Sequence, residues 1–566
     1  MMARYRYTHH PRNPEQQMAK RPCEDVQEKG RFAKRLRPLT VDRLSLLSDE
    51  LLLRILSFVS VPTLITCQRL SHKFYAVAGD SQLWKALYYN HWVRPRASRL
   101  PRIRDPGMSA ENLFYSSKVS KWLDEEALVK RGTETNWKRQ FKLRHNWSRG
   151  SCGVSEVEVA KRPPIPPLLV RLHNGIIFTV DSRDGLRAWS TKEERKLLAS
   201  VALADSDNTP GFPSPTSLSV DLHDSKPNIR RVAVGFQDGR FSVYELRADQ
   251  SRFIQLYTHA PSSNGMVSAM AYASSYLITM TATQLLSLYK FDDEEPQGCL
   301  DPPRLLYSLK SHTVWPPLSL CIRPSLQRIT VSIAYCLPTY LSGWSVGIQE
   351  LHLGLDGQLV DSRLASALAQ GFRTVSASSP SSPSGSILSE QALSPHSQAK
   401  QPTSLSYTHP YLLVSHPDNT LTLYLVTSTT STLSISPGSR LWGHTSSISD
   451  AHVGGRGKAV SVSSRGDELR VWELEGGLAS SASRRRLATG EMSVQVRPEQ
   501  RVAEVQNLSP VAQAIAQRGS GLGLALEHRV DDLSVTRRWV GFDEENVVVL
   551  REKSQGSQAL VVYDFT

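Results

Sequence analysis

The sequence predicts a small all-α module followed by a large all-β domain, behind a basic N-terminal tail. Three observations carry this. Residues 43–91 are dense in Leu, Ile and Val at helical spacing. From about residue 165 onward, short alternating β-branched or aromatic runs are separated by Gly, Asp, Asn and Ser turns. Residues 1–42 are polar and basic with few large aliphatics, the composition of a disordered tail. The length of 566 residues fits such a division, being too long for one ordinary domain. With 40% apolar residues, most of the chain can bury a core. A fibrous protein, a fully disordered chain and a small disulfide scaffold are excluded.

The helical module reads as three short helices. Ser48 suits an N-cap, and Asp49 and Glu50 fall in the first turn, where acidic groups favour the helix dipole. Leu51, Leu52, Ile55, Leu56 and Val59 then form one apolar face. Pro62 starts a second element that carries Leu64, Ile65, Leu70, Phe74 and Val77, with Gly79 as its C-cap. Ser81 opens a third with Leu83, Trp84 and Leu87. So small a unit has little core of its own, and its excess apolar face needs a partner.

Leu47-Ser48-x-Glu50-Leu51, Ile55-Leu56, Leu64, Leu70-Ser71-His72-Lys73-Phe74 and Leu83-Trp84-Lys85 resemble an F-box. Residues 43–91 are therefore read as that module. The resemblance implies docking on a Skp-type adaptor, which joins the chain indirectly to a cullin ligase core. It implies adaptor contacts from Leu47, Ser48, Glu50, Leu51, Ile55, Leu56, Leu64, Leu70 and Trp84. Ser48 stands where the family usually has Pro, and Thr63 where it usually has an acid. The alternative is a helical hairpin that packs on its own chain.

Residues 92–164 read as a helical, basic linker. Within it, residues 137–147 hold an aromatic and basic run, Trp-Lys-Arg-Gln-Phe through Asn-Trp. This run resembles the helical linker between F-box and WD repeats, which implies that it spaces the substrate domain from the ligase core. An amphipathic helix capping the following domain is compatible with the same residues.

Residues 165–566 form the β block. Its clearest repeat spans 441–474, from Leu441-Trp442-Gly443-His444 to Asp467-Glu468-Leu469-Arg470-Val471-Trp472. A Gly-His pair followed by a strand ending in Val-Trp resembles a WD repeat. The resemblance implies a propeller in which His444, Asp467 and Trp472 are structural. Weaker copies occur at 178–189, 232–244, 277–289, 329–348, 412–424 and 540–565. Asp-Gly and Asp-Asn pairs between alternating apolar residues mark tight hairpins. Seven candidate strand pairs give a degenerate seven-bladed β-propeller, and a pair of β-sandwiches is the alternative. The strand at 561–563 is expected to close the ring with one from residues 165–180. The Ser/Pro-rich segment 373–404 reads as a disordered insertion, and 203–228 and 475–530 as weaker loop-like insertions.

No catalytic pattern emerges. The run 454–458 resembles a P-loop but lacks Ser or Thr after Lys458 and the earlier Gly at the right offset. The run 519–523 misses the dinucleotide spacing, and neither GxSxG nor HExxH occurs. His9-His10 is a poor metal site. Six scattered cysteines without a CxxC pair suit reduced thiols. No catalytic residue, metal or cofactor is expected; the chain reads as a non-catalytic ligase subunit that holds a target protein near chemistry done elsewhere. Its substrates include phosphorylated peptides if it follows related propellers. Arg187, Arg240 and Arg470 lie near strand ends, and no site is assigned to them.

The net charge is +14, and residues 1–43 hold eleven Lys/Arg against five Asp/Glu. Lys20-Arg21 and Lys34-Arg35-Leu36-Arg37 resemble a bipartite nuclear localisation signal. Location in nucleus and cytoplasm is expected. Direct nucleic-acid binding is not, because the tail lacks interleaved aromatics beyond Tyr5 and Tyr7. No apolar run is long enough to span a membrane. Ser379, Ser382 and Ser394 are candidate sites for proline-directed phosphorylation.

Overall fold

The computed structural model describes residues 43–94, 135–192, 197–203, 213–222, 229–273, 275–292, 300–311, 314–339, 343–367, 401–429, 431–455, 457–466, 468–474, 481–498, 535–553 and 556–566. The chain forms two compact units, Met1–Leu83 and Trp84–Thr566.

In the first unit, α1 (Asp49–Leu56) carries Asp49 and Glu50 in its first turn. Ser48 occupies the N-cap position in extended backbone, but its hydroxyl makes no capping bond. Proline opens α2 (Val61–Cys67), where a missing N–H costs nothing. The element expected from Pro62 to Gly79 is two helices. The chain turns at 68–71, and the Ser71 hydroxyl accepts from Phe74 N to start α3 (His72–Ala78). Gln68 Nε2 donates to Ala78 O at 2.8 Å and ties the two together. Leu52, Leu56, Leu64, Phe74 and Val77 are buried. The boundary between units falls inside α4 (Ser81–Tyr88).

In the second unit, α4 runs into a π-helical turn, Tyr89–Val93. Helix α5 (Trp137–Arg149) follows, capped by the Asn136 side chain and ended by Gly150 in left-handed backbone. Seven sheets then form seven blades. Blades one to six span 169–201, 215–259, 267–310, 315–366, 404–442 and 448–495. The first strand of each blade neighbours that of the next, and those of blades seven and one meet, so the ring is closed.

Blade seven joins both ends of the domain. Val535–Phe542, Asn546–Glu552 and Gln558–Asp564 are completed by Ser151–Ala160. The closing ladder pairs Gly153 with Asp564 and Val157 with Leu560. This strand lies upstream of the expected window 165–180. Only the two-residue strand Arg497–Pro498 lies beyond it in the sheet, so most of it keeps a solvent face, and Glu156 and Glu158 dilute its apolar alternation.

Other expectations change as well. Residues 203–228 include the innermost strand of blade two, Pro215–Val220. Residues 475–530 include α6 (Ser481–Ala488) and the strands Ser493–Gln495 and Arg497–Pro498. Blade five begins at Ser404, the last residue of the expected insertion 373–404, of which 373–400 lie outside the described residues. The run resembling a P-loop is the hairpin turn of blade six, closed by Gly454 N donating to Lys458 O at 2.8 Å.

Candidate functional site

Two places on the chain present surface that a partner could use. The first is the helical unit. Lys73 Nζ donates to Leu47 O at 2.6 Å and Ser45 O at 2.9 Å, and lies 3.4 Å from Asp49 Oδ1. One lysine of α3 thus holds the segment that leads into α1. With that start held, α1 buries Leu52 and Leu56 and turns Leu51 and Ile55 outward. The opposition follows from helical spacing.

The residues expected to meet an adaptor divide into two sets. Leu51 (55% exposed), Ile55 and Leu70 (64%) are on the surface, with Ser48 and Glu50 exposed beside them and Leu47 half-buried. Leu56 and Leu64 are buried and hold the helices to each other. Trp84 is 2% exposed and belongs to the second unit, where it meets Phe141 of α5 edge-on at 5.3 Å. These three are core residues in this structure. Phe58, 75% exposed, extends the outward stripe and was not singled out from sequence. Its spacing of three from Ile55 and seven from Leu51 is the signal that would have found it. Arg54 lies over its ring at 4.7 Å. The Glu50 carboxyl is held below its ordinary range by its own backbone N–H and the Ser48 hydroxyl.

Within the second unit, α5 is set by aromatic packing. Trp92 meets Phe141 at 4.5 Å and Tyr88 meets Trp137 at 5.5 Å. On the ring side, Trp147 Nε1 donates to Glu544 O, and Arg139 pairs with Glu545 at 2.7 Å.

The second place is the mouth of the propeller, a cavity of about 820 Å³. Connections into the innermost strands rim it through Pro167, Thr403 and Ser447, and Thr216 and Trp539 line it from within such strands. Leu218, Met270, Leu318 and Ile448 add apolar wall. Among the described residues, Arg171, from the innermost strand of blade one, is its one charged lining residue. Arg171 has exposed surface although protein surrounds it, and burial of its charge lowers its pKa. Nothing in the sequence pattern distinguishes Arg171 from other strand arginines.

The arginines noted from sequence are tied into the framework. Arg187 is buried, with Asp181 at 2.7 Å and Val159 O at 2.7 Å. Arg240 pairs with Asp238 at 3.3 Å, and Arg470 with Glu468 at 2.7 Å.

In blade six, His444 Nε2 and Ser461 Oγ are 2.6 Å apart, and Trp472 Nε1 donates to the same oxygen at 2.8 Å. All three are buried, which places His444 and Trp472 in the framework. Asp467 lies outside the described residues; the acid beside His444 is Glu468, 3.4 Å from Nδ1. Burial pulls the Glu468 pKa up, but Thr445 N–H, Arg470 and His444 outweigh it and hold the group below its usual value.

Lys20, Arg21, Lys34, Arg35, Arg37, Ser379, Ser382 and Ser394 also lie outside the described residues. Among the described residues, no His/Cys/Asp/Glu group could hold a metal ion, and no helix is long and apolar enough to cross a membrane.

Comparison with known proteins gives two family matches. Residues 152–566 match the F-box protein pof12 β-propeller model, and residues 49–90 match an F-box-like model. No curated protein matches the chain. Among solved structures, the β-propeller domain of Cps50 (Swd1) from Myceliophteria thermophila is 10% identical. It covers 73% of this chain and 100% of that one, with a TM-score of 0.36. Sqt1 from Saccharomyces cerevisiae is 8% identical, covering 73% and 99%, with a TM-score of 0.36. YCF48 from Cyanidioschyzon merolae is 8% identical, covering 73% and 99%, with a TM-score of 0.39.

Proposed function

The chain belongs to the F-box protein pof12 β-propeller family, and on that premise we propose that it is the substrate-recognition subunit of an SCF-type ubiquitin ligase. One observation supports this above the others. A helical F-box-like unit that turns Leu51, Ile55 and Phe58 outward stands in one chain with a closed propeller whose mouth is open. The apolar stripe docks on a Skp-type adaptor and so joins the cullin core. The propeller binds the target protein. The chain is non-catalytic and acts by raising the target's local concentration near a transferring enzyme.

The test is co-purification from cells of the full chain and of a Leu51/Ile55/Phe58→Ala variant. Wild type should recover adaptor and cullin, and the variant neither. Equal recovery by both would sink the reading. Recovery of adaptor without cullin would favour a scaffold or nuclear regulatory protein acting outside a ligase. The reading includes a nuclear and a cytoplasmic pool, on the strength of the basic clusters at Lys20-Arg21 and Lys34-Arg35 with Arg37. A fluorescent fusion with Lys34, Arg35 and Arg37 changed to Ala should shift to the cytoplasm.

A further inference from the structure

We propose that the propeller mouth receives a single carboxylate carried on an otherwise apolar, extended segment of the target, and that Arg171 is the residue that binds it. This rests on the receptor reading above and names the substrate chemistry of that site.

The guanidinium is positioned in advance. Arg171 Nε donates to Leu218 O at 3.1 Å, and Nη1 reaches Val170 O at 3.4 Å. Among the described residues, no carboxylate lies within ion-pairing distance of it, and Nη2 has no acceptor. Asp450, on the innermost strand of blade six, interacts with it electrostatically but forms no ion pair with it. Its oxygens are occupied: Oδ1 accepts from Ala451 N at 2.9 Å and Oδ2 from Val540 N at 3.0 Å. Among the described residues, the cavity wall therefore carries one held cation that has no ion-pair partner, and Asp450, which feels its charge, is already bonded by backbone N–H groups.

The count of cations selects the ligand. A phosphate monoester carries nearly two charges and three strong acceptors, and is met best by several cations. Arginines elsewhere on the ring do not add to it, since they do not line the cavity and are engaged. Arg440 pairs with Asp418 at 2.6 Å, Arg470 with Glu468, and Arg551 donates to Gly466 O and Tyr563 Oη. One guanidinium matches one carboxylate. The rest of the wall mixes Leu218, Met270 and Leu318 with the hydroxyls of Thr216, Ser268 and Ser449. Apolar side chains find the former; the Thr216 and Ser268 hydroxyls already donate to Val267 O and Met280 O, and their oxygens accept from peptide N–H groups. The volume, about 820 Å³, accommodates several residues of an extended chain.

The carboxylate could be an Asp side chain or a chain terminus, and the test separates them. Immobilised full-length protein is incubated with four octapeptide pools that have randomised apolar positions. One has central Asp and an amidated end, one central Asn and an amidated end, one central phosphoserine and an amidated end, and one central Asn and a free C-terminus. Mass spectrometry measures retention. At least tenfold enrichment of the Asp pool or the free-terminus pool over the amidated Asn pool is expected. Arg171→Gln should abolish it, and Arg440→Gln should leave it unchanged. Equal retention of the Asn amide, preference for phosphoserine over both acids, or full binding by a folded Arg171→Gln would overturn the proposal. The comparison of pools on wild type decides the matter even if Arg171→Gln fails to fold. Adaptor recovery is measured on the same preparations. Intact recovery with no acid preference defeats only this proposal, and lost recovery defeats only the receptor reading.

Discussion

The indole of Trp147 stacks on the ring of Phe565, with centroids 4.0 Å apart and planes 8° from parallel. Asn146 Nδ2 donates to Phe565 O at 2.8 Å, and Lys458 Nζ lies 4.0 Å from the indole centroid. Helix α5 is thus fastened to the penultimate residue of the chain, just beyond the strand that closes the ring. Phe565 is fully buried. Phe565→Ala should therefore cost about 3–5 kcal/mol, the usual range for a buried aromatic truncated to Ala. Thermal melts of the full chain should show a lower midpoint. Deleting residues 558–566 removes the strand that pairs with both Asn546–Glu552 and Ser151–Ala160. That variant should yield no soluble protein with a wild-type melt.

The residues expected at the adaptor surface should separate by phenotype. Leu51 and Ile55 are exposed, so changing both to Ala should abolish adaptor capture with little change in melting. Leu64 is 0% exposed, and Leu64→Ala should cost about 2–5 kcal/mol through the cavity it leaves. Trp84→Ala should loosen the packing of α4 on α5. Calorimetric titration with the adaptor, beside a melt of each variant, separates the two effects. A Leu51/Ile55 variant that melts as low as Leu64→Ala would contradict the assignment.

Much of the fold was legible because each blade has one strand pair that sequence describes well. Five of the seven runs recognised, such as Phe178 to Trp189 or Val232 to Tyr244, are the second and third strands of their blades, while 441–474 and 540–565 take in the first strand as well. Those strands are buried on both sides and joined by tight turns with Gly185 and Gly239 at positive φ. First and fourth strands carry weaker patterns. Glu156 and Glu158 hide the closing strand, and Pro215–Val220 sits among polar residues. In the F-box-like unit, helical spacing identified the apolar residues but not which of them face inward. Leu51 and Leu52 differ by one position and lie on opposite sides. Arg171 was illegible because its distinction, among the described residues, is to line the cavity without an ion-paired carboxylate, a property of the assembled ring.

The buried group in blade six makes a prediction about coupling. Ser461 Oγ serves both His444 and Trp472. Ser461→Ala leaves two buried polar groups without that oxygen, at about 1–3 kcal/mol each. His444→Ala removes one of them. The double variant should then be less destabilised than the sum of the singles, by about 0.5–3 kcal/mol. Urea unfolding of the two single variants and the double completes the cycle. Strict additivity would show that the three side chains act independently.

The channel holds two groups whose titrations oppose each other. Burial pushes Asp450 up to about 6, against the lowering effect of Ser404, two backbone N–H groups and Arg171. Burial and then Arg171 push His452 down to about 4. An acid with a raised folded pKa contributes stability that is full below its unfolded value near 4 and lost as pH rises towards 6. A histidine with a lowered folded pKa does the reverse: the unfolded chain takes up its proton first as pH falls below about 6.5, so stability is lost towards pH 4. The two slopes occupy the same window and partly cancel in the wild type. Asp450→Asn removes the first, so this variant should gain stability relative to wild type between pH 4 and 6 and hold level above. His452→Asn removes the second and should lose relative to wild type as pH rises from 4 to 6.5. Both groups touch the channel, so water there screens the charges and reduces each slope below its fully buried limit. Denaturant unfolding of the three proteins at pH 4, 5, 6 and 7 checks the signs. Differences that run parallel for the two variants would show that neither group carries a perturbed charge in the folded ring.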